Sequence, residues 1–319
     1  MMNIIRPPKR LSQSLVKHVL LWRGIEEEDH DSFLNPSRSH IYTAEQMGDT
    51  GLAAETILEA IAKKEKVVIH GDYDVDGVSA TSILWDFLYR KLGADVLPYI
   101  PSRFEDGYGL SDESMQKVLE MGAGLVITVD SGVKNAELIE RYSQQGIKFV
   151  VTDHHTLPTD TAEQQRLLAA VEALVHPDHP DFDYPYLEIC GTTVVWKLCQ
   201  RLAQQAGLGD SDLDEYLDIV AMATVCDMMP LVDENRAIVS LGIEQAKQTT
   251  NPGMRQLMKL ASIDPENLKA FHFGFALGPR INAAGRLDSA MAALRLLTTQ
   301  SDEVAAQHAK HLDSLNFRG

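Results

Sequence analysis

Three short apolar runs in this chain each stop at residue types that bind metal ions. Val67-Val68-Ile69 leads into His70-Gly71-Asp72-Tyr73-Asp74-Val75-Asp76-Gly77, Leu125-Val126-Ile127-Thr128-Val129 into Asp130, and Phe149-Val150-Val151-Thr152 into Asp153-His154-His155. Apolar runs of this length, bounded in this way, read as buried strands. The residues that follow them cannot be core, because burying that much charge unpaired costs several kcal/mol per ion. A divalent cation is the simplest compensation. Strands that all end this way are expected to bring those ends to one rim of a shared sheet.

Helical patterns separate the strands. Gly51–Lys64 reads as an amphipathic helix, Val78–Lys91 as a helix stopped by Gly93, and Asp95–Ile100 as a strand. Asp112–Glu120 reads as a helix with Ser111 as N-cap, Asn135–Gln144 as a helix stopped by Gly146, and Ala173–Val175 as a further strand. Short apolar strands alternating with helices predict an α/β fold, a mostly parallel sheet flanked by helices, with ligands at the carboxyl ends of the strands. After about residue 190 only helical periods remain: Thr192–Gln205, Leu213–Thr224, Asn235–Gln248, Pro252–Leu260, Asn267–Leu277, Ala290–Thr298 and Asp302–Asn316. The expected organisation is a helical and loop extension over 1–50, an α/β core with the acidic motifs over 51–190, and an all-helical segment over 191–319.

Each motif also has a blander reading. Asp72-x-Asp74-x-Asp76-Gly77 opens like an EF-hand loop, but its twelfth position is Ile83 instead of Glu and a strand precedes it. A solvated acidic loop is the other alternative. Asp130 alone could cap the helix after it. Neighbouring histidines in an extended segment point to opposite sides, so one of His154 and His155 can bind a metal while the other faces a substrate. Two idle surface histidines are the rival. Asp227 ends an apolar helix before Pro230, where the helix dipole disfavours an anion and a cation would relieve it.

Gly278-Pro279-Arg280-Ile281-Asn282-Ala283-Ala284-Gly285-Arg286-Leu287 is a turn-rich stretch. Its small residues permit close backbone approach and its arginines fit phosphate oxygens; a plain connecting loop is the alternative. Arg103, beyond the strand Asp95–Ile100, is a second candidate cation. His176 with His179, and His308 with His311, have ligand-like spacing without a matching Cys or Glu cluster, and read as loop or helix surface. Cys190 and Cys199 read as core. Gly107-Tyr108-Gly109-Leu110 lacks the third glycine of a dinucleotide fingerprint, and no Walker A sequence occurs.

Composition narrows the class. No run of 18 apolar residues suggests a membrane span, and Met1 to Arg10 has no apolar segment behind it that would make a signal peptide. Three cysteines without a framework pattern point to a reducing, cytoplasmic setting. A net charge of −17 argues against broad clamping of long DNA, although bound divalent ions would offset part of it.

In order, His70-x-x-x-Asp74-x-Asp76, Asp130, Asp153-His154-His155 and Asp227 resemble the four motifs of the DHH phosphoesterase superfamily. His-Gly-Asp-Tyr-Asp-Val-Asp-Gly, the stretch from Ile100-Pro101-Ser102-Arg103 to Gly109, Thr152–Thr156 and Pro279–Leu287 are similar to its single-stranded-DNA-specific exonucleases. The resemblance covers nearly the whole chain from about residue 20. It implies a 5′→3′ exonuclease that releases mononucleotides in DNA repair and recombination, with two Mn2+ or Mg2+ ions. It implies that His70, Asp74 and Asp130 hold one ion, and that Asp76, Asp130, His154 and Asp227 hold the other, with Asp130 bridging. His155 would face the scissile phosphate, with Asp130 and Asp76 beside it as catalytic groups. Arg280, Arg103, Asn282 and Arg286 would bind substrate phosphate. Asp72 matches the motif but receives no role.

Such exonucleases continue into a DHHA1 domain with a Gly-Gly-His motif, and often into an oligonucleotide-binding (OB) fold. Neither is found in this sequence, so a catalytic part alone is expected. Its partner would be single-stranded DNA, joined by a single-strand-binding protein, a helicase or a separately encoded clamp domain. Two rival functions are a nuclease of very short oligonucleotides or small-nucleotide phosphatase, and a non-catalytic scaffold with this fold.

Overall fold

The computed structural model describes residues 14–101, 109–287 and 289–317. Its sheet contains β1 (Val67–Gly71), β2 (Val96–Tyr99), β3 (Leu125–Val129), β4 (Lys148–Thr152) and β5 (Ala173–Val175), in the order β2-β1-β3-β4-β5. Every neighbouring pair is parallel. All residues of β1 and β3 are buried, which explains why they read as continuous apolar runs and not as alternation. The chain leaves β1 for β2 on one side and reaches β3 on the other. That reversal opens a crevice beyond the carboxyl ends of the strands. The register places Gly71 opposite Val129 and Val129 opposite Thr152, so the residues that follow emerge at one level.

The flanking helices are α1 (Leu15–Trp22), α2 (His30–Leu34), α3 (Thr50–Ala62), α4 (Val75–Asp86), α5 (Asp112–Glu120), α6 (Ala136–Ser143) and α7 (Thr161–Ala170). Beyond the sheet come α8 (Gly191–Gln205), α9 (Leu217–Cys226), α10 (Asp233–Lys247), α11 (Pro252–Leu260), the single turn α12 (Ala270–His272), α13 (Gly278–Leu287), α14 (Ala290–Thr298) and α15 (Asp302–Asn316). Alternate strand residues feed opposite faces. Val68, Val126, Phe149 and Val151 pack with Met115, Val118 and Ile139 of α5 and α6. Val67, Ile69, Ile127 and Val150 belong to a second cluster that runs unbroken through α3, α4 and α8 to Leu312 and Leu315 of α15. The helical segment therefore shares one core with the sheet. Among the described residues no helix is long and apolar enough to cross a membrane.

Several elements depart from the sequence-based expectation, among them Asn267–Leu277, which holds only the single turn α12 followed by a π-helical turn over Phe273–Leu277. α4 starts at Val75, not Val78, because the Asp74 side chain caps it by accepting the Gly77 N–H at 3.0 Å. Asp76 thereby enters the first helical turn. α7 was not expected; its polar sequence forms a helix behind Asp160, which accepts the Ala162 N–H. The stretch Gly278–Leu287, expected to be turn-rich, is helix α13. Pro279 is tolerated near a helix start, and the two glycines serve packing. A Cβ at Gly278 would lie 2.3 Å from the Cys226 sulfur, and one at Gly285 would lie 2.4 Å from the Tyr73 carbonyl oxygen. Arg103 lies outside the described residues.

Candidate metal centre

Four acidic or imidazole side chains from four elements meet at the crevice. Asp76, 1% exposed, is clamped by the N-terminus of α8. Its two oxygens accept the N–H groups of Gly191 at 2.6 Å and Thr192 at 2.8 Å. Asp130 follows β3 in a left-handed conformation, φ 57°, which costs a non-glycine residue about 1–3 kcal/mol and marks a constrained site. Gly191 makes this possible, since a Cβ there would lie 2.8 Å from Asp130 Oδ1. Asp227 arrives as the C-cap of α9. His154 is the hub: its Nε2 lies 3.2 Å from Asp130 Oδ1, 3.5 Å from Asp227 Oδ2 and 3.7 Å from Asp76 Oδ2.

The carboxylates are held against their own preference. Burial, then Asp76 and Asp74, push the Asp130 carboxyl well above its ordinary range. Burial, then the same two neighbours, raise Asp227 to about 8. Burial and then Asp76 raise Asp74 to about 6. Buried Asp130 Oδ1 and Asp227 Oδ2 accept no hydrogen bond. Unsatisfied carboxylate oxygens around an imidazole are the donor set of a hard or borderline divalent cation. Among the described residues two groups have ligand atoms within 4.8 Å of one another, Asp130 with His154 and His155, and Asp76 with His154 and Asp227. The residues fit Mn2+ or Mg2+.

The sequence-derived candidates divide. Asp76, Asp130, His154 and Asp227 converge. His70 and Asp74 join neither close group. The His70 ring has Nε2 3.1 Å from Ser114 Oγ and stands edge-on to Tyr99, while Asp74 serves as the α4 cap. Asp72 is buried and its side chain accepts the Tyr73 N–H. His154 and His155 do not point to opposite sides; their rings lie side by side with centroids 4.6 Å apart. β4 has already ended at Thr152, and Asp153 Oδ1 accepts the N–H of His154 at 2.8 Å and of His155 at 3.1 Å, which curls the segment into a turn. Asp153 Oδ1 also bonds His155 Nδ1 at 2.8 Å, and Oδ2 accepts the Val133 N–H. Burial would raise the Asp153 carboxyl, but His155 and the backbone donors hold it below its usual value; Asp153 in turn raises the His155 imidazole.

The phosphate candidates divide as well. Arg280 is committed elsewhere, with Nε donating to Asp313 Oδ1 at 2.8 Å and Nη1 to the Ala276 carbonyl at 2.6 Å. Asn282 Oδ1 accepts the Val75 N–H at 3.1 Å and so steadies the start of α4. Arg286 is exposed. Sequence reading missed Lys134, exposed on the rim of a cleft of about 200 Å3 that Asp72, Asp130, Ser131 and His155 also line. A Lys four residues past the Asp that ends a strand was the available signal. It also misplaced His176 and His179, which are 1% and 4% exposed instead of superficial. In each ring Nδ1 accepts the N–H two residues on, of Asp178 at 3.0 Å and Asp181 at 3.1 Å.

Known proteins share this fold. The pattern of the DHH family, N-terminal domain, matches residues 66–224. A crystal structure of exonuclease RecJ bound to manganese superposes with a TM-score of 0.77 at 34% identity, over 87% of this chain and 68% of that one. The chain belongs to the RecJ family of DHH proteins. RecJ from Thermus thermophilus in complex with Mn2+ matches with a TM-score of 0.76 at 30% identity, over 95% of this chain and 42% of that one. The single-stranded-DNA-specific exonuclease RecJ of Bacillus subtilis (strain 168) is 37% identical over 303 residues. That alignment takes in 95% of this chain, which spans 37% of the length of the B. subtilis RecJ.

Proposed function

We propose that this chain is the catalytic part of a metal-dependent exonuclease that hydrolyses single-stranded DNA from the 5′ end to mononucleotides, in repair and recombination. The observation that carries the reading is the convergence of Asp76, Asp130, His154 and Asp227 on one point at the rim of the sheet. The core over 51–190 supplies all but Asp227, and the helical part over 191–319 supplies that ligand and the α8 amides behind Asp76.

Asp76, Asp130, His154 and Asp227 would hold one Mn2+ or Mg2+ ion, and His70 and Asp74, with Asp130, would hold a second. Bound there, two such ions supply charge neutralisation at the phosphoryl group and acidify a water. Asp153 fixes the His155 ring through Nδ1, leaving Nε2 to donate to a phosphate oxygen, and the raised imidazole basicity favours the donating form. Lys134 and Arg286 supply cations for the DNA backbone. A cation that captures the terminal phosphate fixes register and confines cleavage to a chain end. With a net charge of −17, affinity for long DNA falls to a further domain, a single-strand-binding protein or a helicase.

Digestion of single-stranded DNA labelled at the 5′ or the 3′ end by this chain tests the proposal. Mononucleotides should appear first from the 5′ end, with Mn2+ and not with chelator. Turnover that survives chelation overturns it. A strong preference for dinucleotides over long strands would favour a short-oligonucleotide nuclease.

A further inference from the structure

We propose that His176 is a positioning residue for the His154–His155 pair and acts through the His155 carbonyl. The inference rests on the metal-site reading above. His176 directly follows β5 and is 1% exposed. Its Nδ1 accepts the Asp178 N–H at 3.0 Å, so the ring proton sits on Nε2. Nε2 lies 2.8 Å from the His155 carbonyl oxygen and donates to it.

The backbone alone leaves this turn weakly tied. The β4–β5 ladder ends at the pair Thr152 and Val175, followed by one bond from the Asp153 N–H to the Val175 carbonyl at 3.2 Å. The carboxylate of Asp153 holds the turn by its N–H groups. The imidazole of His176 holds it by its last carbonyl. Together they fix the peptide planes on either side of His155, and with them the direction of both rings.

The seat of His176 is itself stiff. Pro177 restricts its backbone to extended conformations. Gly48 packs closely behind it, where a Cβ would lie 3.2 Å from the His176 carbonyl oxygen. Three residues on, His179 Nε2 reaches Asp49 Oδ2 at 3.4 Å, and Asp49 also accepts the Leu174 N–H at 3.1 Å. Support thus runs from the start of α3 through Asp49, β5 and the 176–179 turn to the His155 carbonyl. Groups that orient metal ligands in this way typically account for 10–100-fold in metal affinity or activity.

The test compares His176→Gln with His176→Met. The two side chains have equal length; Gln can donate to the His155 carbonyl and Met cannot. Calorimetric titration with Mn2+, an unfolding midpoint and kcat and KM on single-stranded DNA are measured for each. His176→Met should bind Mn2+ about 10–100-fold more weakly and lose kcat more than KM, and His176→Gln should recover most of both. Equal Mn2+ affinity in the two folded variants overturns the role of His176 alone. So does a folded His176→Gln that loses tenfold or more, which decides the matter even if His176→Met does not fold. A wild-type chain that binds no Mn2+ overturns the metal-site reading beneath it.

Discussion

Two clusters of buried charge in this molecule behave in opposite ways. Lys197 and Glu234 are both fully buried and their charged atoms lie 3.1 Å apart. Tyr184 donates its hydroxyl to Glu234, the Tyr42 N–H donates to Glu234 at 3.3 Å, and Lys197 also donates to the Tyr42 carbonyl. Burial pulls the Lys197 ammonium below its usual pKa while Glu234 opposes that pull. At the sheet rim, Asp74, Asp76, Asp130 and Asp227 face one another, two oxygens accept nothing, and the carboxyls of Asp74, Asp130 and Asp227 are raised. The first cluster is complete within the chain and pins the 40s segment to α8 and α10. The second is complete only when something positive arrives from outside. Buried charge that stays unsatisfied in the native fold is how a binding site differs from a strut.

The sharpest test of that contrast removes one charge from each cluster. Asp130→Asn should all but abolish metal-dependent turnover, because it removes a carboxylate common to the ligand sets of both proposed ions. In metal-free buffer its unfolding midpoint should match or exceed the wild type, since a like charge has gone. A clear loss of metal-free stability would make the rim a strut after all. Lys197→Met should do the reverse. It strands the Glu234 carboxylate and destabilises the fold by about 3–5 kcal/mol, measured by urea unfolding, while Mn2+ affinity of the folded fraction stays the same. Lost Mn2+ affinity without lost stability would erase the distinction.

Asp218 is an intermediate case. It is fully buried, yet its partners are neutral: the Thr249 hydroxyl and the Ile219 N–H. Burial raises its carboxyl to about 6. The unfolded value lies near 3.9, so between those two pH values the native state binds the extra proton. Stability from this group is therefore full below about pH 4 and lost as pH rises through about 6, a swing of on the order of 2–3 kcal/mol. Asp218→Asn should flatten that part of the stability profile and raise stability at pH 8. Urea midpoints from pH 4 to pH 8 check it, and an unchanged slope in the variant would show that Asp218 stays charged.

The rim was legible in the sequence because each buried parallel strand reads as an apolar run and stops where the acidic and imidazole residues begin. Asp227 was legible for a different reason, an anion at a helix C-terminus just before a proline. What failed depends on contacts between distant segments. Gly278, Pro279 and Gly285 look like loop residues until Cys226 and Tyr73 are seen pressing on them. His176 and His179 carry no local mark of burial, since the groups that close over them, the His155 carbonyl, Gly48 and Asp49, come from elsewhere in the chain. The period of an extended strand misled the placement of His154 and His155, because the side chain of Asp153 bends the chain there.

Arg280 and Arg286 extend the contrast between completed and open charge to the surface, with the smallest expected effects. They share α13 and looked equivalent in sequence. Arg280 already has Asp313 of α15 and the Ala276 carbonyl, and both charged side chains of that pair are mostly covered. Arg286 stands exposed beside an open cavity of about 420 Å3 with Asn282 and Asn316. Arg280→Ala should therefore cost about 1 kcal/mol of stability and leave KM for single-stranded DNA where it was. Arg286→Ala should leave stability alone and raise KM a few-fold, with a shallower dependence on salt. Steady-state kinetics at two salt concentrations and urea midpoints for both variants separate the outcomes. If KM follows Arg280 instead, that guanidinium must leave Asp313 when DNA binds, and the α13–α15 ion pair would be a latch that substrate phosphate opens.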